Sequence, residues 1–182
     1  SIIKLKIMEN HALRTGLILG IISILLSVTV YVIDPLLVIK WWFGLVALLL
    51  SLGFVIYYGL QFRNESGGFV SFKISYGYSM LTFVVSGLIG TVFNILLYNF
   101  IDPDLPEIIS EAIIEQTAQM MEGFGASQEM IDKAIEEADT TSNFTTFGQI
   151  KSFGFALIVY AVMSLITGAI IKRKKPEFSD LT

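Results

Sequence analysis

Thr15-Gly-Leu-Ile-Leu-Gly-Ile-Ile-Ser-Ile-Leu-Leu-Ser-Val-Thr-Val-Tyr-Val-Ile33 runs for 19 residues without a charge. A helix needs about 20 apolar residues to cross the hydrocarbon core of a bilayer, so this stretch is of spanning length. Three more charge-free runs follow: Trp41–Phe62, Ile74–Ile101 and Ser152–Ile171, of 22, 28 and 20 residues. As helix the longest measures roughly 42 Å at 1.5 Å per residue, so it must tilt or protrude. Hydrophobic residues make up 54% of the 182-residue chain and charged ones only 15%, against about 25% in a soluble domain. The expectation is an all-α fold, a four-span transmembrane helix bundle. Residues 1–182 then form a single membrane domain with spans near 13–33, 41–61, 74–100 and 150–171.

The charges between the runs sort by sign. Asp102–Thr146 holds eleven acidic residues and one base, Lys133. Lys4, Lys6, Arg14, Arg63, Lys73 and the Lys172-Arg-Lys-Lys175 tail put nine bases on one side of four spans; Lys40, Lys133 and Lys151 put three on the other. Because Lys and Arg near span ends stay cytoplasmic, both termini should be cytoplasmic and residues 102–146 external. That insert reads as an amphipathic helical hairpin between spans 3 and 4. Asp104-Leu-Pro106 opens its first helix, with proline in the tolerated first turn. Leu105, Ile108, Ile109, Ala112, Ile113 and Met120 share one face at 100° per residue. Gly123-Phe-Gly125 breaks the helix, Ser127 is placed to cap the second, and Met130, Ile131, Ala134, Ile135 and Ala138 form its apolar face. A hairpin too small to own a core should dock on the outer ends of the spans.

Spans one and three both exit on Ile-Asp-Pro, at Ile33-Asp-Pro35 and Ile101-Asp-Pro103. Proline stops the helix, and Asp34 is suited to cap the next one. Trp41-Trp42 beside Lys40 reads as an interfacial anchor. Met8 reads as a native start, with the seven residues before it an upstream extension. The first apolar run lacks a small-x-small cleavage site and is not read as a cleaved signal. Without cysteine the chain has no disulfide or thiolate chemistry. No basic cluster with interleaved aromatics points to nucleic acid.

Each span carries a stripe of small residues. Gly16, Gly20, Ser23 and Ser27 align on the first; Gly44, Ala47 and Ser51 on the second. Ser75, Ser79, Thr82, Ser86 and Gly90 align on the third, with Asn94 at the edge, and Gly154, Ala161, Ser164 and Gly168 on the fourth. In lipid, close backbone approach at small residues supplies helix association, so the stripes read as seams, with Gly16, Gly20, Ser86, Gly90, Asn94 and Gly168 as packing candidates. The alternative is a polar groove for a ligand or lipid. Asn94, the most polar residue deep in a span, is expected to bond across to another helix.

No span interior contains Asp, Glu, Lys, Arg or His, which disfavours pumps and ion-coupled transporters. The sole histidine, His11, lies in the N-terminal flank, away from any depth at which it would serve an intramembrane serine. HExxH, Walker A and GxSxG sequences are absent. No enzyme, cofactor or metal site is expected. Glu107, Glu111 and Glu115 repeat at i, i+4 and i+8 on one helix face. Four-residue spacing on a single helix rarely encloses a cation, so they read as a solvated or partner-facing row.

The order of spans, the Gly67-Gly-Phe-Val-Ser-Phe72 link, the Tyr98-Asn-Phe-Ile-Asp-Pro103 exit, the Ser127-Gln-Glu-Met-Ile131 helix and the basic tail together resemble domain-of-unknown-function family 4199. The resemblance runs from Met8 over nearly the whole chain. It implies a small bacterial protein of the inner membrane with the acidic hairpin in the periplasm, and it assigns no catalytic or binding residue. The leading expectation for function is a non-enzymatic accessory or scaffold subunit whose hairpin meets a protein partner or a second copy. The alternative is a small-molecule or lipid-binding or transport protein using the seam near Asn94. A cavity reaching Asn94 favours the alternative; a dry seam favours the scaffold.

Overall fold

A computed structural model describes residues 2–138 and 140–175. The chain is helical, in the order α1 (Ile2–Ile33), α2 (Trp41–Glu65), α3 (Phe72–Leu96), α4 (Leu105–Gly123), α5 (Gln128–Glu137) and α6 (Thr146–Ile171). A turn of π-helix, Leu97–Ile101, extends α3, and 3₁₀ turns at Pro35–Ile39 and Thr141–Phe144 join α1 to α2 and lead into α6. Among the described residues, four segments are long and apolar enough to cross a membrane: Leu5–Ile33, Trp41–Glu65, Phe72–Ile101 and Thr146–Ile171. The helical hairpin α4–α5 stands between the third and fourth. The expected architecture is therefore present, with α1 starting well before residue 13. Its added turns bury Met8 and Ala12 against the rest of the bundle.

Side-chain caps set several boundaries. Asp34 accepts from the Leu36 N–H at 2.9 Å, so it caps the short 3₁₀ turn ahead of α2. Asp102 accepts from the Leu105 N–H at 3.2 Å, and Pro106 occupies the first turn of α4. Thr145 accepts from the Gly148 N–H at 3.0 Å to open α6. At Ser127 the backbone carbonyl takes the N–H groups of Met130 and Ile131, and the hydroxyl makes no cap bond.

α3 is the central helix, packed lengthwise against α1 on one side and α6 on the other, while α2 touches its neighbours more sparsely. A Cβ on Gly16 would fall 2.8 Å from Val85 Cβ and 2.9 Å from the Thr82 carbonyl, so only glycine permits α1 this close. At Gly168 a Cβ would meet the Tyr76 backbone at 3.0 Å. Ser75, Ser79, Thr82, Ser164 and Thr167 are buried in the same zone. Their hydroxyls mostly bond within the protein: Ser75 donates to the Gly168 carbonyl at 2.9 Å, and Thr82 to the Tyr78 carbonyl at 2.8 Å. Tyr78 stacks on Phe62 at 5.1 Å and donates to Thr15 Oγ1 at 3.0 Å.

This tight half is also the basic end of the molecule. There the segment after α6 pairs with the link between α2 and α3. The Val70 N–H donates to the Arg173 carbonyl at 3.0 Å and the Arg173 N–H to that of Val70 at 2.9 Å. Gly67 and Gly68 take φ values of 88° and 81°, which supply the turn that brings Val70 back. The guanidinium of Arg173 sits 5.6 Å from the Phe69 ring, and Arg63 donates to the Ile171 carbonyl at 3.3 Å. His11 on α1 meets Glu65 on α2 at 2.8 Å.

At the acidic end, the base of α4 buries Leu105 and Ile109 in a second apolar cluster with Leu97, Tyr31, Leu36 and Phe144. Tyr31 donates to Asp102 Oδ2 at 2.8 Å. Asn99, which invited no special reading in the sequence, donates to both the Ile95 and Phe144 carbonyls, at 3.0 and 3.1 Å, and so ties the π-helical turn to the chain entering α6. The expected apolar face of α4 is only partly covered, since Ile108 and Met120 are exposed. Ile108 sits beside buried Ile109 at the edge of the covered strip, while Met120 lies about four turns along α4, past the turns that the cluster covers. Ile131 of α5 is buried against the hairpin, while Met130 is exposed.

Candidate functional site, a chamber at the outer half of the bundle

The small-residue stripes behave differently along their length. Gly16 and Gly20 press on Val85 and Ile89 of α3, as the seam reading requires. Farther toward the acidic end the helices diverge, and Ser23 and Ser27 on α1, Ala47 and Ser51 on α2, and Ser86 and Asn94 on α3 line open space. Gly90 is the clearest departure: nothing lies within 4 Å of a Cβ placed there, so it is a chamber wall and not a seam residue. Gly44 and Gly154 are likewise free of close neighbours. The divergence has a physical origin in the sparse packing of α2. It is held against the bundle by Gly59 on Ile171 and Tyr78 and by Val55, Phe54 and Leu52 on the core, while toward its N-terminal end Gly44 has no close neighbour.

The chamber has two lobes. The outer one, about 450 Å³, lies between α1 and α2 below the base of α4, with Val30, Val38, Leu105 and Ile109 among its walls. The inner one, about 370 Å³, reaches Phe83, Tyr160 and Met163 where all four spans meet. Leu19, Ser23, Ser27, Ala47, Ser51 and Asn94 belong to both lobes and form the ring where they join. These volumes fall in the roughly 300–1,000 Å³ range of small-molecule sites. Leu26 and Leu50, on the margin of the outer lobe, are exposed on the flank of the spanning helices, so the chamber opens sideways between α1 and α2.

The outer lobe carries two tyrosines, Tyr98 and the Asp102-bonded Tyr31, and the other polar side chains lie at the ring and in the inner lobe. Ser23, Ser51 and Ser86 donate to carbonyls of their own helices, at 2.9, 2.8 and 3.1 Å. The expected cross-helix bond of Asn94 does not form. The chamber separates its helix from α1 and α2 at that depth, and its amide has no hydrogen-bond partner among the described residues. Ser27, Thr91 and the Tyr160 hydroxyl share this state. Among the described residues, no Asp, Glu, Lys, Arg or His lines either lobe. Hydrocarbon offers no hydrogen bonds, so any occupant of the ring must supply donors or acceptors of its own.

The remaining sequence candidates lie elsewhere. Gly168 works as a seam residue against Tyr76, at the far end from the chamber. Glu107, Glu111 and Glu115 form an exposed row on α4, where Glu115 accepts from Gln119 at 3.2 Å. The structure brings Ser86, Gly90 and Asn94 to one chamber with Ser23, Ser27, Ala47 and Ser51, and leaves the glutamates outside it.

Fold and chamber together define a multi-pass helical membrane protein with a side-opening internal cavity. Residues 14–173 match the family described as Protein of unknown function (DUF4199), and the chain belongs to that family. No curated protein and no solved structure matches it.

Proposed function

We propose that this protein binds a membrane-soluble small molecule or lipid in the chamber, and that it does so as a non-enzymatic component of a bacterial cytoplasmic membrane. The observation that carries the reading is the open ring around Asn94, a polar group without a protein partner inside the spanning bundle. A packed seam at that level would have favoured a scaffold. Support for a binding role over catalysis comes from the chamber's chemistry: hydroxyls and an amide, with His11 engaged by Glu65 at the opposite end. The nine-to-three division of bases supports cytoplasmic termini and a periplasmic hairpin.

A second reading keeps its own observation. The tip of the hairpin exposes Phe124 at 86% and Met120 at 57%. Apolar side chains left in water favour a protein partner or a second copy. Accessory binding at the tip and ligand binding in the chamber are compatible.

The test is extraction and mass spectrometry of lipids that co-purify with the protein in nanodiscs. Wild type should retain a specific small molecule that a chamber-filling variant, Ser51→Trp, loses. Identical lipid profiles from both proteins would remove the chamber from the function.

A further inference from the structure

The chamber's polarity runs opposite to that of the bilayer around it. In a membrane leaflet the polar layer lies at the interface and hydrocarbon lies beneath. Here the end nearest the acidic surface is mostly apolar, walled by Val30 and Val38 and bounded by Leu105 and Ile109 of α4; of its two tyrosines, Tyr31 spends its hydroxyl on Asp102 and Tyr98 adds one phenol. The polar ring lies deeper, at Ser23, Ser27, Ser51 and Asn94. A phospholipid entering from the adjacent leaflet would bring its phosphate against Leu105 and Ile109, where no base lines the wall. Its acyl chains would lie against hydroxyls and an unpaired amide. Both ends mismatch, so an ordinary phospholipid of that leaflet is the wrong occupant.

We infer that the chamber takes an uncharged amphiphile, with its hydroxyl or carbonyl head at the Asn94 ring and its hydrocarbon under the base of α4. This deepens the binding reading above and rests on it. Asn94 offers both an acceptor oxygen and two donor hydrogens, so it matches hydroxyl and carbonyl heads alike. Ser27 and Thr91 add further hydroxyls without protein partners. Ionised heads are excluded by the same wall. Among the described residues, an anion would meet no cation in either lobe, and a cation no carboxylate. The nearest carboxylate at the outer end, Asp102, is already occupied by the Tyr31 hydroxyl and the Leu105 N–H. A charge desolvated without a partner binds far more weakly than a neutral group that completes its hydrogen bonds. The side opening between α1 and α2 gives such a molecule entry from the hydrocarbon layer without crossing water.

Three probes of one chain length separate these chemistries: 1-lauroylglycerol, laurate at pH 8 and dodecyltrimethylammonium, each titrated against the full chain in a non-ionic detergent by native mass spectrometry. Lauroylglycerol should bind one to one. Laurate and the ammonium probe should each bind at least about tenfold more weakly, the discrimination expected when a buried charge lacks a partner. Asn94→Leu should weaken lauroylglycerol about tenfold, and Asn94→Gln should restore most of the affinity. Thermal unfolding of both variants provides the folding control. Equal binding of the three probes, or indifference to Asn94→Leu in a folded variant, would overturn the uncharged-head inference while leaving a chamber that binds hydrocarbon. Binding of lauroylglycerol that survives Ser51→Trp unchanged would overturn both readings.

Discussion

Gly16, Gly20 and Gly90 belong to stripes of the same composition, yet their surroundings make opposite demands. At Gly20 a Cβ would meet Ile89 at under 3 Å, and at Gly16 it would meet a backbone carbonyl that cannot rotate away. Gly16→Ile and Gly20→Ile should each destabilise the bundle by about 1–3 kcal/mol, the usual cost of overpacking. Gly90→Ile should leave stability near that of wild type, because the new side chain projects into the chamber. Thermal unfolding in one detergent ranks the three. A Gly90 variant as unstable as the Gly16 one would show that the helices close where the structure separates them. Tyr31 supplies a second residue-level test. Tyr31→Phe removes its bond to Asp102 and should cost about 1 kcal/mol, seen as faster hydrogen exchange in the first turn of α4 relative to α6.

At the scale of elements, the hairpin is anchored at its base and free at its tip. Leu105 and Ile109 are buried in the cluster with Leu97 and Phe144, whereas Met120 and Phe124 are exposed. Amide exchange should therefore be slowest over Leu105–Ile113 and quicken steadily toward Phe124. Uniformly fast exchange along α4 would mean that the hairpin orders only on a partner. The existence of these elements was legible in the sequence for a simple reason. A charge in hydrocarbon is costly enough that its absence over some 20 residues marks a span, and Asp-Pro marks where a span stops. The amphipathic pattern of α4 correctly placed Leu105 and Ile109 inward. It misplaced Ile108 and Met120, because helical periodicity says which residues share a face but neither how wide nor how long the supporting surface is. The stripes were legible as surfaces of small residues, though not as closed or open. Gly20 and Gly90 are the same residue in similar sequence contexts, yet one faces Ile89 of α3 and the other faces the chamber, a difference of neighbours that periodicity does not carry. Asn94 was misread for the same reason, since its expected partner helix stands across the chamber.

For the whole molecule, the nine-to-three division of bases predicts an orientation that can be tested. The chain has no cysteine, so Ser66→Cys on the link between α2 and α3 and Ser127→Cys before α5 are clean probes. A membrane-impermeant maleimide on intact cells should label position 127 and spare 66. The reverse pattern would invert the topology and place the hairpin in the cytoplasm. Either outcome leaves the chamber in place, opening toward whichever leaflet borders the hairpin.

The backbone pairing of Val70 with Arg173 gives the molecule the mechanics of tongs. One end is clasped, with Arg63, Phe69 and Arg173 closing around it; α2 stays packed on the core as far as Leu52, and its N-terminal arm beyond that, the jaw, is joined to α1 by the Pro35–Ile39 turn, which rests on the base of α4. Leu52 and Trp41 are 11 residues apart, an arm of roughly 16 Å of helix, so a swing of about 10° would carry the tip, and the Pro35–Ile39 turn attached to it, roughly 3 Å. Spin labels at Leu25→Cys and Leu49→Cys, both on exposed outer flanks, should give a broad distance distribution that narrows when lauroylglycerol is added. A distribution already narrow without the amphiphile would describe a rigid jaw. If the arm does swing, filling the chamber and setting the angle of one helix are a single event, and occupancy inside the bilayer becomes a displacement at its surface.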